Sequence, residues 1–203
     1  QDKTVLLEAV GLCEDGLNQF FEFISLAQYE ALLRQAIKMT GEPGLGLHIG
    51  AGTKFGAHGT FAYAALSFPT AWDAMIVGQK FSKLCNRIVD VRMLRDEDFG
   101  IIRIETPYFT GDLYRTVIEI VVGLFCEIFK LKFERKVPSI EIDLRYGEPD
   151  YGDQYYKLLE PRIRFEAECN EIRIPRKLVD APLAMADPTV AKRFEKECDD
   201  LIA

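Results

Sequence analysis

Apolar residues recur at helical spacing along much of the chain. The longest such stretch runs from Gly111 to Phe133, where two neighbouring apolar rows leave only a narrow polar stripe that carries Arg115 and Glu119. A membrane span needs about 20 predominantly apolar residues, and this stretch is interrupted by charged residues such as Glu127 and Lys130. We therefore expect a long helix that is largely buried inside the protein.

The N-terminal part of the chain also shows helical spacing. Residues 2–23 predict two helical pieces. Ser25 and Gln28 then stand three residues apart, as in a capping box, and apolar residues follow at helical spacing until Gly41. A helix between Ser25 and Gly41 is predicted.

Two further helices have polar residues at their predicted starts. Thr70 followed by Asp73 predicts an N-cap for a helix that runs through Lys83 or Leu84. Asp187 before a proline predicts the start of a C-terminal helix. Its apolar stripe comprises Val190, Phe194, Cys198 and Leu201.

Strand patterns lie between these helices. The segments 88–94 and 101–105 flank an acidic turn and predict a β-hairpin, and 139–144 predicts a single strand. The segments 162–167 and 171–174 predict a second hairpin. We expect an α+β fold with a mixed or antiparallel sheet of two hairpins and short strands, packed against several helices.

Glycines are dense between residues 44 and 56, but their spacing matches neither a dinucleotide fingerprint nor a Walker loop. We expect a short strand at Leu47–Ile49 and then a flexible turn. The segment Thr60–Ser67 has aromatic residues among alanines, and an extended conformation would project Phe61 and Tyr63 from the same side. The stretch from 59 to 83 thus predicts a junction of a strand with a capped helix.

One domain over residues 1–203 is expected, with a helical segment at 1–24 and a linker helix at 187–203. A hydrophobic content of 48% fits a globular protein with a core. The net charge of -7 disfavours nucleic acid as a partner of these residues.

Catalytic and metal-binding signatures are missing from the sequence. The five cysteines are widely spaced and the two histidines are not spaced as helical metal ligands, so no metal and no cofactor is expected. The cysteine usage favours free thiols in a reducing compartment, and no signal peptide is recognised, so a cytoplasmic location is expected. No nucleophile elbow, zinc-protease or kinase motif occurs, and an enzyme is therefore not expected.

Several ordered motifs resemble one family. They are Gly59-x4-Ala64-x2-Ser67-x-Pro69-Thr70-x3-Ala74, the segment Thr40 to Gly50, Arg164-Phe165, Asn170-x-Ile172-x-Ile174-Pro175, Leu178-Val179-Asp180-x-Pro182-Leu183 and Ala186-Asp187-Pro188. Together they are similar to the N-terminal effector-binding, arabinose-binding-type domain of AraC/XylS transcription regulators. Residues 84–137 match only in hydrophobic pattern.

This resemblance implies a ligand-sensing and often dimerising domain that controls a helix-turn-helix DNA-binding domain, which this chain does not contain. We expect a small organic effector between the sheet and the helices that follow Thr70 and Gly111. The candidate lining residues are Phe55, His58, Phe61, Tyr63, Trp72 and Tyr114, with Arg92 or Arg103 as anchors for an anionic group.

Alternative interpretations remain open at this point. Each aromatic candidate is also a plausible core residue. Arg92, Arg103 and Glu105 also fit a cross-strand ion pair on the solvent face. The chain as a whole could be a ligand-free dimerisation module paired through the C-terminal apolar stripe, or an enzyme of unknown type.

Overall fold

A computed structural model describes residues 3–12, 24–54, 64–132, 139–159 and 162–202. The elements in these ranges are α1 Lys3–Glu8, α2 Leu26–Thr40, α3 Leu45–Gly52, α4 Ala71–Cys85, β1 Asp90–Arg95, β2 Phe99–Glu105, α5 Gly111–Lys132, β3 Glu141–Asp143, α6 Gly152–Leu159, β4 Arg162–Arg164, β5 Glu171–Pro175, α7 Arg176–Val179 and α8 Pro188–Ile202. The fold is α+β with one open mixed sheet of five strands, which confirms the expected class.

The predicted helix boundaries are confirmed where capping residues define them. Ser25 and Gln28 form the complete capping box of α2, and Gly41 ends the helix in the left-handed region at φ 66°. Thr70 and Asp73 form the corresponding capping box of α4. Short-range polar chemistry is therefore enough to place these helix ends.

The strand predicted at Leu47–Ile49 is wrong, because these residues belong to helix α3. The glycines of α3 allow it to lie almost backbone to backbone against α5. A Cβ on Gly46 would lie 2.5 Å from the carbonyl oxygen of Thr116, and a Cβ on Gly50 would lie 2.5 Å from that of Ile120. Gly46 and Gly50 thus serve close helix packing.

The described part of the segment 60–67 also differs from the prediction. Ala64 is helical and Ala65–Ser67 is a turn of 3-10 helix, so these residues are not an extended strand. Phe61 and Tyr63 lie outside the described residues.

The sheet has the strand order β1-β2-β5-β3-β4. The hairpin of β1 and β2 is confirmed by antiparallel pairing of Asp90 with Glu105 through Arg95 with Gly100. The second predicted hairpin is wrong, because β4 pairs in parallel with β3 and β5 lies between β2 and β3. Arg162 and Arg164 are exposed on β4, which suits an edge strand, whereas Ile172 is fully buried on the central strand β5.

One row of apolar side chains crosses the inner face of the sheet. The backbone register places the following residues side by side from β1 to β4: Met93, Ile102, Ile172, Ile142 and Ile163. These side chains and most apolar side chains of α5 belong to or pack against the same core cluster. The neighbouring positions of each strand point to the opposite, charged face.

Helix α8 starts as predicted, since Oδ1 of Asp187 accepts hydrogen bonds from the backbone N–H groups of Thr189 and Val190. The predicted apolar stripe is only partly correct. Ala191, Phe194 and Cys198 are buried against α4, whereas Val190 is 43% exposed. Because Phe194 is only 8% exposed, it is not available for pairing two copies of the chain in this arrangement.

Candidate functional site

An apolar cavity of about 200 Å³ lies between α4, β1 and α5. This is the region in which the sequence predicted a ligand, between the sheet and the helices that follow Thr70 and Gly111. Its described lining residues come from both helices, from β1 and from the two flanking loops: Ala65, Ala74, Met75, Gly78, Phe81, Ser82, Asn86, Val89, Val91, Met93, Val121, Leu124, Phe125, Ile128 and Phe129.

The cavity follows from the side-chain sizes on the two helices. Helix α4 presents Ala74 and Gly78 to the cavity, and these small residues leave space that larger side chains would fill. Helix α5 presents Val121, Leu124 and Ile128 on one face, which closes the opposite wall with branched side chains. Part of this space thus arises because Ala74 and Gly78 of α4 face larger side chains of α5.

Polar groups at the cavity are few and already bonded within the protein. The hydroxyl of Ser82 donates to the carbonyl oxygen of Gln79 at 2.8 Å. Oδ1 of Asn86 accepts from the backbone N–H of Ile88 at 3.0 Å. No charged residue is among the described lining residues, so the cavity suits an apolar molecule with few hydrogen-bonding groups.

The predicted site residues Phe55, His58, Phe61 and Tyr63 lie outside the described residues. The structure places Trp72 next to Arg95, whose guanidinium carbon is 4.5 Å from the centre of the indole ring. Trp72 packs against the main core and is not among the described residues that line the cavity.

Tyr114 belongs to a partly buried polar contact outside the cavity wall. Its hydroxyl accepts a hydrogen bond from the side-chain amide of Asn170 at 2.6 Å, and its ring meets Tyr146 edge-on at 6.5 Å. Asn170 also joins two strand ends, because its Oδ1 accepts from the backbone N–H of Arg145 and its amide donates to the carbonyl oxygen of Ile104. These contacts are those of a structural residue at the end of the sheet.

Arg92 and Arg103 are paired in register and point to the sheet face opposite to the cavity, since Val91 and Met93 line the cavity from the alternate positions. Arg92 donates to Asp90 on its own strand. Arg103 donates to Oε1 of Glu171 on β5 through two nitrogens, at 2.6 and 2.8 Å.

The structure thus brings none of the four described candidates, Trp72, Arg92, Arg103 and Tyr114, into the cavity wall. Their participation in ligand binding stays a prediction. The sequence grouped the α5 residues of the cavity wall only as members of two apolar rows, because periodicity shows which side of a helix is apolar but not where two apolar faces leave a gap.

A second feature, the buried carboxylate of Glu119, was not predicted. The sequence pattern placed Glu119 on a narrow polar stripe, yet its side chain is 0% exposed. The hydroxyls of Tyr151 and Tyr155 donate to its Oε1 at 2.7 and 2.5 Å. Its Oε2 has no hydrogen-bond partner among the described residues and lies 2.6 Å from the position of a Cβ on Gly46.

The protonation of Glu119 reflects this burial. Desolvation raises the pKa of the Glu119 carboxyl from 4.5 to about 6, while the hydrogen bonds from Tyr155 and Tyr151 and the charge of Arg115 limit the rise. The carboxyl joins α5 to α6 and faces the backbone of α3, so it is a structural group. A signal existed in the sequence, because Glu119 stands between the apolar residues Ile118 and Ile120.

No group of three or more His, Cys, Asp or Glu side chains in the described ranges is arranged to hold a metal ion. Within the same ranges, no helix combines the length and the apolar character that crossing a membrane requires.

The structure is thus an open α+β domain with a small apolar space between one face of the sheet and two helices. Residues 1–183 match the family model described as the arabinose-binding domain of AraC transcription regulators, N-terminal. The chain therefore belongs to this family of regulator domains.

Individual relatives agree with this assignment. The chain is 21% identical over 180 residues to the ornithine utilization regulator of Pseudomonas aeruginosa, covering 89% of the chain and 53% of that relative. Its fold is similar to the crystal structure of the transcriptional regulator CdpR from Pseudomonas aeruginosa, with a TM-score of 0.64 and 17% identity. That match covers 81% of the chain and 53% of the CdpR chain. The chain thus spans about half the length of each, and both are named as regulators.

Proposed function

We propose that this chain is the effector-sensing domain of an AraC-type transcription regulator, and that its effector is a small, mainly apolar molecule bound in the cavity between α4, β1 and α5. The observation that carries the proposal is a cavity of about 200 Å³ whose described wall contains no charged residue. Effector occupancy would control a helix-turn-helix domain elsewhere in the whole protein, acting on DNA in the cytoplasm.

The proposed ligand chemistry follows from the cost of burying polar groups. An unpaired charge placed among Val91, Val121 and Leu124 would lose its hydration without gaining a partner. An aromatic ring or a short acyl chain would instead exchange water for apolar contacts at about 25 cal/mol per Å². A terminal hydroxyl of the effector would lie at the polar edge near Ser82 and Asn86.

The described cavity wall does not suit ornithine, although one relative is named for ornithine utilization. A diamino acid carries two ammonium groups and a carboxylate, and no described cavity residue offers an opposite charge. The proposal also requires no second copy of the chain, because one chain supplies every described lining residue. Sedimentation equilibrium measures separately whether two copies form a homodimer.

A fluorescence titration with 1-N-phenylnaphthylamine, a neutral apolar probe, tests the proposed function. We expect saturable binding with one site per chain, no displacement by ornithine, and at least tenfold weaker binding in Leu124→Trp, because the indole ring occupies the cavity.

Leu26→Trp is the matched control, since Leu26 is 38% exposed at the start of α2 and does not line the cavity. Its affinity for the probe should equal that of the wild type. Absence of saturable binding, or equal weakening in Leu124→Trp and Leu26→Trp, would show that the cavity is not the site.

A further inference from the structure

A polar pocket of about 450 Å³ lies on the face of the sheet opposite to the apolar cavity. Its floor consists of cross-strand neighbours from β2, β5, β3 and β4, which are Arg103, Glu171, Asp143 and Arg164 in that order. Its rim is the turn 166–169 between β4 and β5. The pocket is therefore separate from the proposed effector cavity and has the opposite chemistry.

Two arginines on the floor of the pocket are already paired with carboxylates. Nε and Nη2 of Arg164 donate to Oδ1 and Oδ2 of Asp143 at 3.0 and 2.5 Å, so both oxygens of Asp143 have a donor. Nε and Nη2 of Arg103 both donate to Oε1 of Glu171. These guanidinium groups thus neutralise carboxylates of the sheet.

The second oxygen of Glu171 is different. The Glu171 side chain is only 8% exposed, yet its Oε2 accepts no hydrogen bond from the described residues, and Nη1 of Arg173 stays 3.7 Å away, beyond hydrogen-bond distance. Arg173 is held by other partners, since its guanidinium carbon lies 4.5 Å from the centre of the Phe99 ring and its Nη2 lies 3.5 Å from Asp96. Because Glu171 lines the pocket, its Oε2 is available to a donor that enters.

The rim of the pocket adds further negative charge. Glu166 and Glu168 line the pocket and form no ion pair within the described part of the chain. The turn that carries them is anchored to the preceding loop, because the backbone N–H groups of Glu166 and Ala167 donate to the carbonyl oxygens of Tyr146 and Leu144. The unpaired charges of the described pocket wall are therefore negative.

We propose that this pocket is a second ligand site, which binds a small organic cation through an ammonium group that donates to Oε2 of Glu171. An ammonium supplies several N–H donors together with a positive charge, which is what the unused oxygen and the carboxylates of the rim complement. An anion would instead be repelled by Glu166 and Glu168. A metal ion fits less well, since no group of three or more described His, Cys, Asp or Glu side chains is arranged to hold one. The proposal is independent of the effector cavity.

A two-dimensional ¹⁵N–¹H NMR titration of the wild type with 1,5-diaminopentane at low ionic strength tests the site. We expect saturable shifts of the backbone amides of residues 166–173 and of Arg103, and weaker binding when NaCl is added, because salt screens the charges. The neutral 1,5-pentanediol and the anionic glutarate have the same chain length. Neither should produce saturable shifts.

Two variants with the same change of charge separate direct contact from the general field of the pocket. Glu171→Gln keeps an Oε1 acceptor for Arg103 and should weaken diamine binding about tenfold, because a hydrogen bond to a charged group is lost. Asp143→Asn is the matched control, since Arg164 already occupies both oxygens of Asp143. It should weaken binding by no more than about twofold through the screened field.

Equal weakening in Glu171→Gln and Asp143→Asn, or wild-type affinity in Glu171→Gln, would overturn the assignment of Oε2 as the ammonium acceptor. If Glu171→Gln does not fold, the wild-type titration decides. Absence of saturable shifts with the diamine, shifts outside the pocket, or equal shifts with 1,5-pentanediol or glutarate would then overturn the site. None of these outcomes bears on the apolar cavity, so the proposed function stands or fails by its own titration.

Discussion

Replacing Glu119 by glutamine should remove one specific pH dependence of stability, so that the variant gains about 2 kcal/mol relative to the wild type as the pH rises from 4.5 to about 6. Glu119 is fully buried, and its Oε2 has no hydrogen-bond partner among the described residues. Its folded-state pKa of about 6 lies above its ordinary value of 4.5. At one pKa unit per 1.36 kcal/mol, this difference corresponds to about 2 kcal/mol.

The direction of the effect follows from proton binding. Between pH 4.5 and about 6 the folded state binds more protons at Glu119 than the unfolded state does. The contribution of Glu119 to the free energy of unfolding is therefore fully present below pH 4.5 and is lost as the pH rises through about 6. Glutamine imitates the protonated carboxyl at every pH, so the variant does not lose this contribution.

Urea unfolding of wild type and Glu119→Gln at intervals from pH 4 to pH 8 measures this difference. Other titrating groups affect both proteins alike, so the difference in the free energy of unfolding isolates Glu119. We expect the free energy of unfolding of Glu119→Gln to rise by about 2 kcal/mol relative to the wild type between pH 4.5 and about 6, and the difference to be constant outside this range. A difference that stays constant with pH would refute the inference that the buried carboxyl carries a raised pKa.

Three other substitutions test the packing and the hydrogen bonds by urea unfolding. Gly50→Ala should destabilise the domain by about 2–3 kcal/mol because its Cβ would lie 2.5 Å from a carbonyl oxygen of α5. The control Gly52→Ala, with nothing within 4 Å, should not destabilise the domain and should stabilise it by up to about 1 kcal/mol through helix propensity. Thr70→Ala should lower stability by about 1 kcal/mol by removing the capping box of α4, and Thr70→Ser should restore it. Asn170→Ala should lower stability by about 2 kcal/mol because two backbone groups lose a buried partner. Equal effects of the two glycine variants, or no effect of the cap or of Asn170, would contradict the described contacts.

Local sequence features predicted much of the fold. The caps at Ser25 and Thr70 and the first hairpin depend on residues a few positions apart, so the sequence contains the whole signal. The helix α3 and the pairing of β5 were not predicted, because both depend on distant partners. Gly50 packs directly against the backbone of α5, and β5 pairs with β2 and β3, which are distant from it in sequence.

The site was predicted at the level of elements rather than of residues. The region between α4, the sheet and α5 is where the cavity lies. The residue-level predictions named other aromatic residues and two arginines, whereas the described wall combines small and aliphatic side chains with Phe81, Phe125 and Phe129. A cavity is a shortage of side-chain volume between elements, and the sequence does not show which faces will meet.

The crystal structure of this chain in complex with 1-N-phenylnaphthylamine tests the central claim most directly, because it locates the bound molecule. We predict electron density for the probe between α4, β1 and α5, in contact with Phe81 and Leu124. Density in the groove between α4 and α8 that Ile76 and Ala191 line, or a cavity without density at saturating probe, would contradict the assignment of the effector site.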